Sequence, residues 1–386
     1  MRLVHLSDLH LGFRQYQRLT PAGINQREAD VAASFKTAID KIIALEPDLV
    51  LLAGDLFHTV RPSNPAILHA FLQFGRLKKS LPDTEVVLIA GNHDLPRATE
   101  TGCILGLFRQ LGLHVVDVEA RRIDLPDRGV SILAVPDTSA PLPALVGNPS
   151  AKYNVLVLHG VVPGLLPDWF TASDRARTEV SLEDLTKADW DYVALGHYHV
   201  YQRVKKRIFY SGAIDYTSTS PWGELYLEGQ AKIPGKGLIE HDLDSGRHVF
   251  HTLPAARKHI DVPPIPAFQL APSEIDRLIA ATVSKVDLDG NIVRVVLQDA
   301  QRHVVRELNH AALREYQRRA LHFQLDVRRP DTRAPLSGAT GRRLSLTDIV
   351  RGKLETRELE ADLKREALID LGLKYLKDAE AVEVPE

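Results

Sequence analysis

Five times in the first 200 residues, a short apolar run ends in aspartate, asparagine or histidine. Leu3-Val4-His5-Leu6 leads into Asp8-Leu9-His10, and Leu49–Ala53 into Gly54-Asp55-Leu56-Phe57-His58. Val86–Ala90 leads into Gly91-Asn92-His93-Asp94, Val155–Leu158 into His159-Gly160, and Tyr192–Leu195 into Gly196-His197-Tyr198-His199. Runs of this length and composition read as buried strands. Taken singly, each ending has an ordinary explanation: a turn, a solvated histidine, a polar strand end. Together, always after a strand, they call for one site. In open α/β folds that site lies outside the carboxyl ends of the strands.

Asp8, His10, Asp55, Asn92, His159, His197 and His199 supply oxygen and nitrogen donors and no thiolate. That set suits borderline divalent ions such as manganese, iron or zinc. Seven protein ligands are too many for one catalytic ion with open positions, and they fit two ions sharing a carboxylate. Asp55, in the middle of the series, is the natural bridge. Two ions about 3.5–4 Å apart can hold a phosphate, activate a water and stabilise a leaving oxygen. Asp8-x-His10 and His197-x-His199 each put two donors on one side of an extended chain.

Helical periodicity marks residues 27–45, where Val31, Phe35, Ala38, Ile39, Ile42 and Ile43 share a face, and Pro47 stops it. Further helices are expected over 65–79 and around 100–111, with strands near Val115-Val116 and over 130–135. A Pro-rich loop spans 136–149 and a polar segment 168–190. Strand and helix alternate to about residue 200, which indicates an α/β layered core. Residues 200–252 read as all-β and suggest a second sheet packed on the first. Five prolines between 254 and 272 mark a boundary. Beyond it the pattern predicts a helix over 273–283, a strand over 291–298, a helix over 310–319 and a strand over 321–327. The expected organisation is 1–254 as the main domain, 255–330 as a small α/β domain, 331–344 as a linker and 345–386 as a helical segment. Ser345-Leu346-Thr347-Asp348 fits a capping box. A charged helix over 356–377 carries Leu359, Leu363, Ala367 and Leu371 as a stripe, which could cover this protein's own body or bind a partner helix.

The 386 residues suffice for two or three domains, and 44% apolar with 25% charged residues is ordinary for a globular protein. A single cysteine, Cys103, excludes an internal disulfide framework and points to a reducing compartment, and it reads as a small buried hydrophobe. Asp8 and His10 interrupt the N-terminal apolar run, so it does not read as a signal peptide. No stretch approaches about 20 apolar residues, so no membrane span is expected. A cytoplasmic protein is the expectation.

The five motifs resemble those of the calcineurin-like metallophosphoesterase superfamily over about residues 1–215. The resemblance implies an α/β metallophosphoesterase fold: a two-sheet β-sandwich flanked by helices. It implies that Asp8, His10, Asp55 and His199 hold one ion, and Asp55, Asn92, His159 and His197 the other. Within the superfamily, Asp55-Leu56-Phe57-His58, Arg61-Pro62-Ser63, His10–Tyr16 and Tyr210-Ser211-Gly212 resemble the SbcD-type DNA-repair nucleases. Many superfamily phosphatases have aspartate where this chain has His58. That finer resemblance implies a small α/β domain capping DNA and C-terminal helices. It also implies exonuclease and endonuclease activity on DNA, a homodimer and a partner ATPase of the SbcC coiled-coil type. The C-terminal region matches in layout only.

On this reading two divalent ions, manganese first, with iron(II) or zinc as alternatives, serve hydrolysis of a DNA phosphodiester. His93 protonates the leaving sugar oxygen and His58 orients it or tunes its pKa. For His58 a structural hydrogen bond beside the site is the plainer role. Arg14, Arg61, Arg203, Lys205 and Arg207 are candidate DNA contacts, and residues 302–343 hold ten arginines against four acids. A solvated charged face is the competing explanation. A phosphodiesterase or phosphatase acting on small nucleotides or phosphoproteins is the alternative enzyme, and a scaffold with a purely structural metal site the alternative class.

Overall fold

A computed structural model of the chain describes residues 1–96, 102–138, 141–167, 176–218, 221–329, 346–356 and 365–382. It divides into two units, Met1–Pro330 and Asp331–Glu386.

The apolar runs form strands because both of their faces are covered. In the first sheet Arg2–Leu6, Leu49–Leu52, Glu85–Ile89 and His114–Val116 lie side by side and parallel. Leu3 sits opposite Leu49, and Leu49 opposite Glu85. Gly237–Asp242 and His248–Thr252 extend this sheet antiparallel on the far side of Arg2–Leu6. The second sheet runs, in spatial order, Arg121–Leu125, Val130–Val135, Tyr153–His159, Tyr192–Gly196, Ile208–Tyr210 and Gln202–Lys205.

Alternation divides each strand between two cores. Leu3, Leu49, Leu51, Val87 and Ile89 face Ile132, Val155, Val157 and Phe209 of the second sheet. Val4, Leu6, Val50, Leu52 and Leu88 face the helices Gln26–Leu45 and Asn64–Ser80 through Val31, Phe35, Phe74 and Leu77. The outer face of the second sheet is covered by Leu185, Trp190 and Tyr198. This is the expected two-sheet sandwich flanked by helices. Its parallel strands put their carboxyl ends on one edge, and that edge carries the polar motifs.

Helix Gln26–Leu45 starts where Asn25 accepts a hydrogen bond from the Arg27 amide, and ends at Glu46, whose φ is 45°. The segment expected to be helical around 100–111 is a 3₁₀ helix over Ile104–Leu111, and residues 97–101 lie outside the described set. Of the polar segment 168–190, residues 168–175 likewise lie outside it. Cys103 is half-buried, with its thiol pushed up to about 12, chiefly by burial.

Residues 200–252 depart from the all-β expectation in two ways. A helix, Pro221–Ala231, interrupts them. Its buried face holds Trp222, Glu224 and Glu228, so carboxylates stand where a periodicity search looks for apolar residues. The strands also divide: Gln202–Lys205 and Ile208–Tyr210 join the second sheet, Gly237–Asp242 and His248–Thr252 the first.

A third, all-parallel sheet begins within the proline cluster, which supplies two of its short strands. Ile292–Gln298 is its axis, with His322–Val327 on one edge and His259–Asp261 and Ile265–Pro266 on the other. Helices Pro272–Val283 and His310–Arg319 accompany it, and Ile275, Ile279, Val293, Val295 and Phe323 share its core.

The second unit contains helices Leu346–Thr356 and Arg365–Val382. Arg365 Nη1 donates to the carbonyls of Leu354 and Glu355 at 2.9 and 2.7 Å, joining the two. Of the expected single helix over 356–377, Thr356 belongs to one described helix and Ala367 and Leu371 to another. Leu359, Leu363 and the expected linker 331–344 lie outside the described residues. Among the described residues, no helix is long and apolar enough to cross a membrane.

Candidate metal centre

Two loops at the ends of adjacent strands are zipped together first. The amides of Asp8, His10 and Leu11 donate to the carbonyls of Gly54, Asp55 and Leu56 at 3.0, 3.0 and 2.9 Å. His58 N returns to Leu11 O at 3.0 Å. This pairing holds Asp8, His10 and Asp55 at φ values of 53°, 47° and 52°, and His197 takes 109°. Left-handed backbone at four non-glycine residues is costly, and such strain gathers at functional sites. Gly91 has a different role: a Cβ there would lie 2.1 Å from Asp55 Oδ1. Only glycine lets the third loop come this close.

The side chains converge. Asp55 Oδ2 lies 3.8 Å from His10 Nε2 and 3.5 Å from His159 Nε2. His10 Nε2 faces His199 Nε2 at 3.0 Å. Asn92 Oδ1 lies 3.0 Å from His159 Nε2 and 3.3 Å from His197 Nδ1. His159 Nδ1 donates to Ala53 O at 2.8 Å, which fixes its tautomer and turns Nε2 inward. Asp8 accepts from the His197 amide at 3.0 and 3.2 Å and from the Ser7 hydroxyl. Asp8, His10 and His199 form one compact donor group, and Asp8, Asp55 and His159 another. The structure thus brings all seven sequence-predicted ligands to one edge.

His58 and His93 join His10 in a third group of nitrogen donors. Their rings stack at 5.3 Å between centroids, and the His93 ring meets His10 edge-on at 4.8 Å. His93 Nδ1 donates to the His58 carbonyl at 2.8 Å, and its amide donates to Asp55 Oδ1 at 2.9 Å.

The electrostatics are those of donors crowded out of water. Burial, with Asp94 and Asp8 nearby, pushes Asp55 up to about 7 against the pull of His159 and His93. Burial, then the imidazoles of His199, His93, His58 and His159, hold His10 well below the usual histidine range. For His159 burial acts downward, but the carboxylates of Asp55, Asp8 and Asp137 outweigh it and raise the pKa. His199 is raised against burial by Glu224 and Asp8.

The donors fit divalent cations. Asp55 Oδ2 is buried and has no hydrogen-bond partner, although two imidazole nitrogens flank it. His10 and His199 point ring nitrogens at each other in the same space. A cation on either side of Asp55 would satisfy these atoms, and the oxygen and nitrogen set suits manganese, iron or zinc.

The basic candidates lie outside this cluster. Arg14 is exposed and its Nε donates to Glu28 Oε2 at 2.7 Å. Arg61 lines a surface cleft with Val60, Pro62 and Leu107. Arg203 and Lys205 are exposed on the edge strand, with the Arg203 guanidinium 5.8 Å from the Phe209 ring centroid. Arg207 lies 3.5 and 3.6 Å from Asp189 and Asp191.

Two residues with clear roles were not singled out by the sequence. Asp94 accepts from the amides of Phe57, Leu56 and Gly91 at 2.9, 3.1 and 3.0 Å, locking the second and third motif loops together. It closes the motif Gly91-Asn92-His93-Asp94, so a signal existed. Glu224 is fully buried with Oε1 3.4 Å from His199 Nδ1. It belongs to no motif.

Residues 1–218 match the family described as calcineurin-like phosphoesterase. The chain is also similar to DNA double-strand break repair proteins Mre11 of three archaea. It is 32% identical to that of Methanococcus maripaludis over 64% of this chain and 65% of the relative. For Methanocaldococcus jannaschii the figures are 30%, 60% and 61%, and for Methanosarcina mazei 26%, 82% and 55%. The matched segments thus span less than two thirds of these relatives.

Proposed function

The chain belongs to the calcineurin-like phosphoesterase family, and from that premise we propose that it is a metal-dependent DNA nuclease acting in double-strand break repair. The observation that carries hydrolysis is the buried, unpartnered Asp55 Oδ2 between inward-turned imidazoles of two donor groups. The direction toward DNA comes from the relatives, which are named as break-repair proteins.

Asp8, His10, Asp55 and His199 would hold one divalent ion, and Asp55, Asn92, His159 and His197 the other, manganese being the first candidate. Bound there, such ions supply Lewis acidity for a phosphoryl oxygen and a nucleophilic water at neutral pH. The chain's own contribution begins with Asp94, which fixes the loops before any ligand binds. His93 holds its Nδ1 proton on the His58 carbonyl, so in the imidazolium form Nε2 carries the second proton, the one given to the leaving sugar oxygen. His58 orients that ring by its carbonyl and by stacking.

Arg14, Arg61, Arg203, Lys205 and Arg207 contact backbone phosphates beyond the cleaved one. Residues 255–330 form a domain that caps DNA, and 331–344 link it to 345–386, which bind an SbcC-type ATPase. Two copies associate, a reading supported by exposed Leu68 and Leu72, one helical turn apart on Asn64–Ser80, and by Leu107. A cytoplasmic location goes with this function.

One assay separates this reading from its alternatives. The protein with manganese is given duplex DNA, a cyclic nucleotide and a generic aryl phosphodiester. DNA cleavage that vanishes in Asp55→Ala is expected. Turnover of the small substrates alone would select a small-molecule phosphodiesterase, and no turnover a structural metal site.

A further inference from the structure

Helix Pro221–Ala231 carries two buried side chains that engage different parts of the first unit. Trp222 meets the third sheet: its Nε1 donates to Gln324 Oε1 at 3.0 Å, and its ring lies against Ile292 and Leu321. The Arg294 guanidinium sits 4.8 Å from its centroid. Two residues later, Glu224 meets the metal centre. Its Oε1 lies 3.4 Å from His199 Nδ1, and its Oε2 is bonded to Lys236 Nζ. Lys236 also donates to the His199 carbonyl at 2.7 Å and lies 2.8 Å from Glu228. One charge network therefore holds the His199 backbone by a hydrogen bond and sets the Glu224 carboxylate opposite its ring, while its Nε2 faces His10.

The His10 side is tied to the same sheet. In the loop after His10, Arg18 Nη2 donates to the carbonyls of Arg318 and Gln317 at 2.8 and 3.2 Å. Tyr16 stacks on His322 with centroids 4.0 Å apart. Of the two histidines that face each other in the site, His10 thus precedes a loop docked on this lobe, and His199 meets a helix docked on it.

We propose that Glu224 is a positioning residue for His199, and that helix Pro221–Ala231 transmits the placement of the third sheet to the metal centre. A metal-bound imidazole needs an acceptor on its other nitrogen to fix tautomer and ring orientation, and a buried carboxylate is the strong form of that acceptor. Trp222 and Glu224 are less than one helical turn apart, so a shift of the lobe at one reaches the other. The inference rests on the metal reading above.

The test titrates metal-free protein with cobalt(II), following its visible absorption and counting bound metal after dialysis. Wild type is compared with Glu224→Gln, Trp222→Phe and Glu228→Gln, each checked for folding by its metal-free melting curve. Glu224→Gln is expected to weaken binding of one ion about 10–100-fold and to change the absorption band. Trp222→Phe keeps the apolar body and loses the bond to Gln324, so a smaller loss in the same direction is expected. Glu228→Gln removes a charge from the same network on the far side of Lys236, one step further from His199, and should lose less affinity than Glu224→Gln. Unchanged affinity and spectrum in Glu224→Gln overturn the positioning role, and unchanged affinity in Trp222→Phe overturns the transmission. Equal losses in Glu224→Gln and Glu228→Gln reduce the effect to general loosening and overturn both. A wild-type protein that binds no cobalt overturns the metal reading itself.

Discussion

Among the described residues two clusters of buried and half-buried histidines stand out, and they differ in their neighbours. One is the candidate metal centre, where His10, His159, His197 and His199 stand among Asp8, Asp55 and Glu224. The other lies between the sheets: His5, His241 and His248 with Tyr192, Tyr201 and Phe209. There His248 stacks on Phe209 with centroids 4.1 Å apart, and His5 Nδ1 meets the Tyr192 hydroxyl at 3.1 Å. Burial drives His5 down to about 3 and His241 and His248 to about 4. These rings are neutral packing groups. In the metal centre burial acts on the imidazoles too, but the carboxylates reverse it at His159 and His199. Burial alone turns histidine into an aromatic; burial beside carboxylates and left-handed backbone makes a site.

The largest effect that would break this contrast comes from Asp55. Asp55→Ala removes the shared carboxylate, and turnover on DNA with manganese should fall below detection with metal lost from the purified protein. Retained turnover would remove Asp55 from the bridging position. His93→Ala comes next, with a loss of roughly 10²–10⁴-fold in turnover at unchanged metal content. Metal loss in that variant would make His93 a ligand instead of an acid.

The packing cluster gives the smaller effects. A histidine with a depressed folded pKa contributes stability that is fully present above its unfolded value near 6.5, and that is lost as pH falls toward about 4. His248→Phe removes one such group, so its acid-unfolding midpoint should move to lower pH than wild type in a denaturation series. An unmoved midpoint would mean that His248 is not neutral in the fold. At pH 7 the same variant should show wild-type turnover and metal content, with stability within about 1.5 kcal/mol by chemical denaturation. A loss of metal there would erase the distinction between the clusters.

The contrast also explains what was legible in the sequence. The candidate metal ligands follow parallel strands buried on both faces, so each announces itself as a polar break after an apolar run. The helices Gln26–Leu45 and Asn64–Ser80 were readable because each buries one apolar stripe. Helix Pro221–Ala231 was not, since its inward face is built from carboxylates that matter only once Lys236 and His199 are in place. Glu224 was hidden for the same reason: its partners lie 12 and 25 residues away on other elements. The packing histidines were equally silent, because His241 and His248 pair across a hairpin of the first sheet that the sequence assigned to a second one.

The most direct measurement is anomalous diffraction from crystals soaked in manganese. The account predicts two peaks per chain on either side of the Asp55 carboxylate, one beside His10 and His199 and one beside Asn92, His159 and His197. A single peak, or peaks that leave Asp55 Oδ2 uncoordinated, would contradict it.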